Sequence, residues 1–177
     1  FQQNRTTSRI SSIFKIVSMR VSFLSLGGYT VLVIINYNTK YMSGNTVKFH
    51  RVIKATPEKV YRAFTNAEAM SFWIPPYGFL CEVHEMDARV GGIYKMTFTN
   101  FTTGSTSSFG GKFIEMKPNE FLQYTDVFDD PNLPGEMITS VSLKAVSCGT
   151  EIEITQENIP SVIPQEMCYL GWQVSLE

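Results

Sequence analysis

Ala55-Thr-Pro-Glu-Lys-Val-Tyr-Arg-Ala-Phe-Thr-Asn-Ala-Glu-Ala-Met-Ser-Phe-Trp-Ile-Pro-Pro-Tyr-Gly-Phe79 encodes two short helices with their own start and stop signals. Thr56 is placed to cap the first, Pro57 has no N–H to leave unsatisfied in the first turn, and Glu58 sits at the positive helix end. Val60, Tyr61 and Phe64 then share one side at spacings of three and four. Asn66 offers a second cap, and the helix behind it carries Met70, Phe72 and Trp73. Ile74-Pro75-Pro76 ends that helix, because a residue before proline is pushed out of the α region.

On both sides of this stretch the pattern changes to period two. Asn45–Lys54 alternates, with Val47, Phe49 and Val52-Ile53 apolar against Lys48, His50 and Arg51, which predicts a strand. Leu80–Met86 is a second strand, and Asp87-Ala-Arg-Val-Gly-Gly is a turn in which Gly91-Gly92 supplies positive φ. Ile93–Asn100 puts Tyr94, Met96 and Phe98 on one face and Lys95, Thr97 and Thr99 on the other. A small polar loop, Phe101–Ser108, leads to strands Phe109–Met116 and Phe121–Phe128. After the acidic, proline-containing turn Asp129–Gly135, Met137–Val146 and Thr150–Glu157 form a last hairpin. Pro164–Glu177 closes the chain as a helix whose stripe runs through Cys168 or Tyr169, Trp172 and Leu176, and it is expected to be truncated, since no C-cap follows.

Hairpins imply an antiparallel sheet, and a sheet with one apolar face needs a cover. The terminal helix is the element with a wide enough apolar face to be that cover. The predicted fold is therefore α+β: a curved antiparallel sheet of about seven strands around a long C-terminal helix, with two short helices after the first strand. Between sheet and helix lies a space facing Tyr94, Met96 and Phe98.

The net charge of −1 over 177 residues conceals a split, +5 in residues 1–41 and −6 in residues 42–177. An acidic main domain argues against nucleic-acid binding, which needs a basic face to meet phosphates. Residues 1–41 are basic and Ser/Thr-rich, with an apolar run from Val21 to Tyr37 broken by Gly27-Gly28. The run is shorter than the ~20 residues a membrane span requires and is followed by no small-x-small cleavage site. Three readings compete: a signal or membrane anchor over 21–37, a transit peptide, and a native start at Met42, which is preferred. The expectation is a leader over 1–41 that packs poorly and one domain over 42–177. Cys81, Cys148 and Cys168 contain no CxxC pair and are expected as reduced thiols, two or more of them buried, in a cytoplasmic protein.

The element order, with Ala55-Thr56-Pro57-Glu58, Tyr61-Arg62-Ala63-Phe64-Thr65, Phe72-Trp73, Pro76-x-Gly78-Phe79, Asp87-x-Arg89-x-Gly91-Gly92, Gly149-Thr150 and Gly171-Trp172…Leu176, resembles the helix-grip (START-like, SRPBCC) superfamily. More closely it resembles the family named for the activator of the heat-shock-protein-90 ATPase, over about residues 45–177. The resemblance implies a helix-grip domain in a stress-response or regulatory setting, with a chaperone as one partner. The activator proper carries a further N-terminal chaperone-binding domain, for which residues 1–41 are too short. Fold alone does not name the activity.

Catalytic signatures are weak. Gly104–Lys112 lacks the order of a phosphate loop, no Gly-x-Ser-x-Gly elbow appears, and His50 and His84 have no i,i+4 partner. A metal site from His84 with Glu82 or Glu85 is a remote reading, and no cofactor is expected. Cys168 among aromatics reads as inert core rather than an activated thiol. Asp87 and Arg89 are expected to hold the Gly-Gly turn. The Asn100-Phe-Thr102 sequon has no role in a cytosolic protein. The remaining candidate is a narrow pocket under the helix, bounded by Trp73, Phe79, Tyr94 and Trp172, with Met96, Phe98, Phe113, Tyr124, Met137 and Tyr169 either lining it or filling it as plain core. The first reading is a non-catalytic domain that binds a small apolar molecule. The second is a chaperone-contact module using the acidic turn Asp126–Glu136 or the Pro75-Pro76 corner. The third is a cyclase- or hydrolase-type enzyme, which requires an ionisable group such as His84 or Asp126 inside the cavity.

Overall fold

A computed structural model describes residues 45–177 in full, and the backbone of strands β1 (Leu24–Leu26), β2 (Tyr29–Val31) and β3 (Met42–Ser43) before them. The expectations for residues 1–41, the leader and the possible anchor over 21–37 among them, otherwise lie outside the described residues. β1 and β2 pair with each other in an antiparallel two-stranded sheet.

The domain proper begins with β4 (Thr46–Ile53), α1 (Pro57–Thr65) and α2 (Ala67–Trp73). Both caps form: Thr56 accepts from the Lys59 N–H at 3.4 Å, and Asn66 accepts from the Ala69 N–H at 2.8 Å. Val60 and Phe64 of α1 and Met70 of α2 are buried, while Phe72 points outward, 80% exposed. Trp73 is fixed differently, donating its indole N–H to the Ala63 carbonyl at 2.8 Å and packing on Phe64.

Six further strands follow: β5 (Phe79–Met86), β6 (Ile93–Asn100), β7 (Thr106–Lys117), β8 (Phe121–Phe128), β9 (Met137–Val146) and β10 (Gly149–Glu157). The sheet order is β3-β4-β10-β9-β8-β7-β6-β5, antiparallel throughout, so β4 joins the last hairpin and the two helices carry the chain to the far edge. Register shifts at Val83/Glu85 and Phe113/Glu115 interrupt the ladders, and such bulges bend the strands that carry them. This is the curved sheet and helix order of the helix-grip fold.

Two details depart from the sequence reading. β7 starts at Thr106, three residues earlier than expected, because Thr106, Ser107 and Ser108 pair with Thr99, Phe98 and Thr97 despite their small polar side chains. At the Asp87–Gly92 turn only Gly91 has positive φ, at 79°; Gly92 is needed for close approach, since a Cβ there would lie 2.0 Å from the Asp87 carbonyl oxygen. Asp87 and Arg89 do join across this turn, at 2.8 Å.

The closing helix, α3 (Gln165–Ser175), is shorter than expected, and its end is closed from a distance. Arg51 Nη1 of β4 donates to the Leu176 carbonyl at 2.7 Å, and Ser175 Oγ donates to the Ile74 carbonyl at 2.7 Å. The helix lies over the concave sheet face, where Phe49, Met96, Phe113, Leu122, Val141, Ile152 and Ile154 form the main core.

Candidate functional site

Between α3 and the sheet remains a partly open cavity of about 210 Å³. Five of the ten residues expected at such a site line it: Phe79, Phe98, Tyr124, Met137 and Trp172. The other five do not, and packing gives the reason. Tyr94, Met96 and Phe113 belong to the main core, Tyr94 and Phe113 with ring centroids 5.8 Å apart, and all three are almost fully buried. Trp73 is held behind Trp172, the two rings stacked at 6.5 Å, and Tyr169 turns toward Phe49, at 6.0 Å. Trp73 and Tyr94, expected as pocket walls, pack with the core instead, and Met96, Phe113 and Tyr169 take the plain-core alternative.

Ile74, Pro76, Phe109, Phe128, Met167 and Cys168 also line it, so the wall is almost wholly apolar. Gly171 of α3 also faces the space, and a Cβ added there would meet nothing within 4 Å. A glycine inside a helix costs about 0.5–1 kcal/mol relative to alanine, so this position gives up helix stability and leaves room in the cavity.

Ser107 and Ser175 add small hydroxyls to the lining, and two larger polar side chains, Asp126 and Gln156, break its apolar surface. Asp126 is 7% exposed and accepts hydrogen bonds from the Tyr94 hydroxyl on one carboxylate oxygen and from Thr139 Oγ1, at 2.9 Å, on the other. Removal from water pushes its carboxyl up to about 6, a shift that the Tyr94 and Thr139 hydrogen bonds only partly oppose. Burial, with the Asp126 charge adding to it, also raises the Tyr94 and Tyr124 hydroxyls well above the ordinary phenol range. Gln156, 9% exposed, accepts from the Trp172 indole N–H at 3.2 Å and thereby ties α3 to β10.

Asp126 and Gln156 were within reach of sequence reasoning. Leu122-Tyr124-Asp126 and Ile152-Ile154-Gln156 alternate on strands, and each run carries a polar residue onto the inward face. The chaperone-contact reading sets Asp126 at the start of an exposed acidic turn and the enzyme reading sets it inside the cavity; its burial in the lining corrects the first and agrees with the second.

Of the remaining candidates Cys168 alone lines the cavity, and the others lie away from it. His84 is on the outer face, its Nε2 2.8 Å from Thr97 Oγ1 and its Nδ1 3.7 Å from Glu82. His50 pairs with Glu151 at 2.9 Å. Among the described residues no three of His, Cys, Asp and Glu come together as a metal cluster. The three cysteines are free thiols; Cys81 and Cys168 are half-buried and Cys148 is exposed. Burial, aided by Glu166, pushes the Cys168 thiol up to about 12, which keeps it protonated and unreactive. Asn100 is fully buried, its Oδ1 accepting from the Thr102 and Thr103 N–H groups at 3.0 Å each, so the sequon is closed to modification in the folded chain.

Residues 54–177 match the family described as Activator of Hsp90 ATPase homolog 1-like protein. The chain belongs to this family. A crystal structure of a protein from Chromobacterium violaceum is 55% identical to it, with a TM-score of 0.74 over 75% of this chain and 92% of that one. A Rhodobacter sphaeroides protein at 22% identity (TM-score 0.66, covering 75% and 88%) and a Nitrosomonas europaea protein at 22% (TM-score 0.60, covering 73% and 88%) share the fold. No curated protein matches the chain. No helix among the described residues is long and apolar enough to cross a membrane.

Proposed function

We propose that this member of the Activator of Hsp90 ATPase homolog 1-like family is a non-catalytic, cytoplasmic domain that binds a small apolar molecule between α3 and the sheet. The observation that carries this reading is the apolar cavity of about 210 Å³ together with the missing side chain at Gly171 on its helix wall. Fully enclosed and dry, a void of that size would cost roughly 5 kcal/mol, at about 24 cal/mol per Å³, which is the upper bound for this partly open one. That is a large part of a typical domain's stability, and filling the space with ligand offsets it. The volume is about seven times the liquid share of one water molecule, so the occupant is a single ring or a short chain.

The test replaces Gly171 by Leu, which extends into the open space. The wild-type protein is expected to carry a small molecule through gentle purification, seen by native mass spectrometry, or to melt at higher temperature with members of a panel of lipids and small aromatics. Gly171→Leu is expected to lose both responses while keeping its fold. A wild-type protein that carries nothing and responds to nothing in the panel would overturn the reading.

One observation favours a second reading, contact with a chaperone. Phe72, Tyr77, Leu80 and Phe101 are all more than half exposed around the Pro75-Pro76 corner, and exposed apolar residues grouped in this way mark protein contacts. A pull-down with the chaperone's middle domain tests it: retention lost on Phe72→Ser and kept on Gly171→Leu assigns the contact to this corner.

A further inference from the structure

The polar end of the cavity says what kind of molecule fits, on the reading that the cavity is a binding site. Asp126 is the one carboxylate in a lining that contains no lysine, arginine or histidine. Each of its oxygens already accepts one hydroxyl, Tyr94 on one side and Thr139 on the other. A carboxylate offers about four acceptor positions, so about two remain for a ligand. Gln156 stands directly opposite Thr139 across the β9–β10 ladder, on the same inward face. Its Oε1 is taken by the Trp172 indole N–H, and its Nε2 has no partner among the described residues. The cavity thus combines an acceptor-rich acid and an unused amide donor with a mainly apolar remainder that includes the hydroxyls of Ser107 and Ser175, the latter already donating to the Ile74 carbonyl.

We infer that the ligand carries an uncharged or cationic head that donates hydrogen bonds, such as a hydroxyl, amide or amine, on an apolar body, and that this head is received by Asp126. Anionic lipids and carboxylates are excluded by the same residue. A buried negative charge without a compensating cation is costly, and a donor or cation brought by the ligand offsets that cost. An anion adds repulsion in a space where water screens poorly. Discrimination comes from both the attraction and the repulsion. A head that also accepts, as a hydroxyl or amide does, can use the Gln156 Nε2–H as well.

Four probes with one ring and different heads separate the possibilities: toluene, benzyl alcohol, benzylamine and benzoate. Affinities for the full chain are measured by calorimetry or by ligand-observed NMR near neutral pH. Benzyl alcohol or benzylamine is expected to bind about tenfold or more tighter than benzoate, as a hydrogen bond to a charged group predicts. In Asp126→Asn the advantage of benzylamine is expected to fall by a similar factor and benzoate to gain. If toluene binds and the heads make no difference, the inference fails and the cavity reading stands. If none of the four binds, the cavity reading fails and the inference falls with it. The comparison within the wild-type protein stands even if the variant does not fold.

Discussion

Asp126 follows Leu122 and Tyr124 at alternate positions of β8, so its carboxyl is directed into the core side of the sheet with them. Tyr94 from β6, Tyr124 from its own strand and Thr139 from β9 surround it, and Cys168 of α3 shares the cavity wall. With its pKa raised to about 6 by burial, the neutral form is the one the fold favours. The folded state therefore holds this proton where the unfolded chain has released it. The stabilisation is fully present below the unfolded value near 4 and is lost as pH rises toward 6. Asp126→Asn removes the titration and keeps an acceptor for Tyr94. Measured by urea unfolding, its stability relative to wild type is expected to rise by roughly 2–3 kcal/mol from pH 4 to pH 7.5. A difference that stays flat across that range would contradict the buried, charge-disfavouring environment.

α3 is held more by its neighbours than by its own sequence. Its N-cap, Pro164, makes no side-chain cap hydrogen bond, and Gly171 weakens its interior. What fixes it is the Trp172 bond to Gln156, the Ser175 bond to Ile74 and the Arg51 bond to Leu176. A cation at a helix C-terminus interacts favourably with the partial negative charge there as well as with an unpaired carbonyl. Arg51→Ala is expected to lower stability by about 1 kcal/mol, and to speed amide exchange in Gln173–Leu176 while α1 is unaffected. Uniform exchange across both helices would show that Arg51 does not act through this end. None of these ties was readable locally, since Arg51 and Leu176 lie 125 residues apart. The caps Thr56 and Asn66, three residues from their partners, were readable for the opposite reason.

Across the whole molecule, stability rests on the buried rings and aliphatics of the concave sheet face. Phe113 packs between Tyr94 and Tyr124 and is almost entirely shielded, whereas Phe72, a residue of the same kind, is in solvent. Phe113→Ala is expected to cost about 3–5 kcal/mol, enough to unfold a marginal domain. Phe72→Ala should remain within about 0.5 kcal/mol of wild type. Denaturant melts of the two variants check this; comparable losses would mean that Phe72 is covered in the native assembly.

Much of this was open to reading from the chain alone, because hydrophobic period, caps and turn residues act over a few positions. They determine the order of strands and helices, the inward faces of β6, β8 and β10, and through the quoted motifs the family. Alternation assigns a side and says nothing of depth. Tyr94, Met96 and Phe98 share one face of β6, yet only Phe98 reaches the cavity. Depth depends on how far the sheet bends and where α3 comes to rest, and both are set by contacts between residues far apart in sequence. For that reason the cavity, the seating of Asp126 within it and the space beside Gly171 were decided by tertiary structure alone.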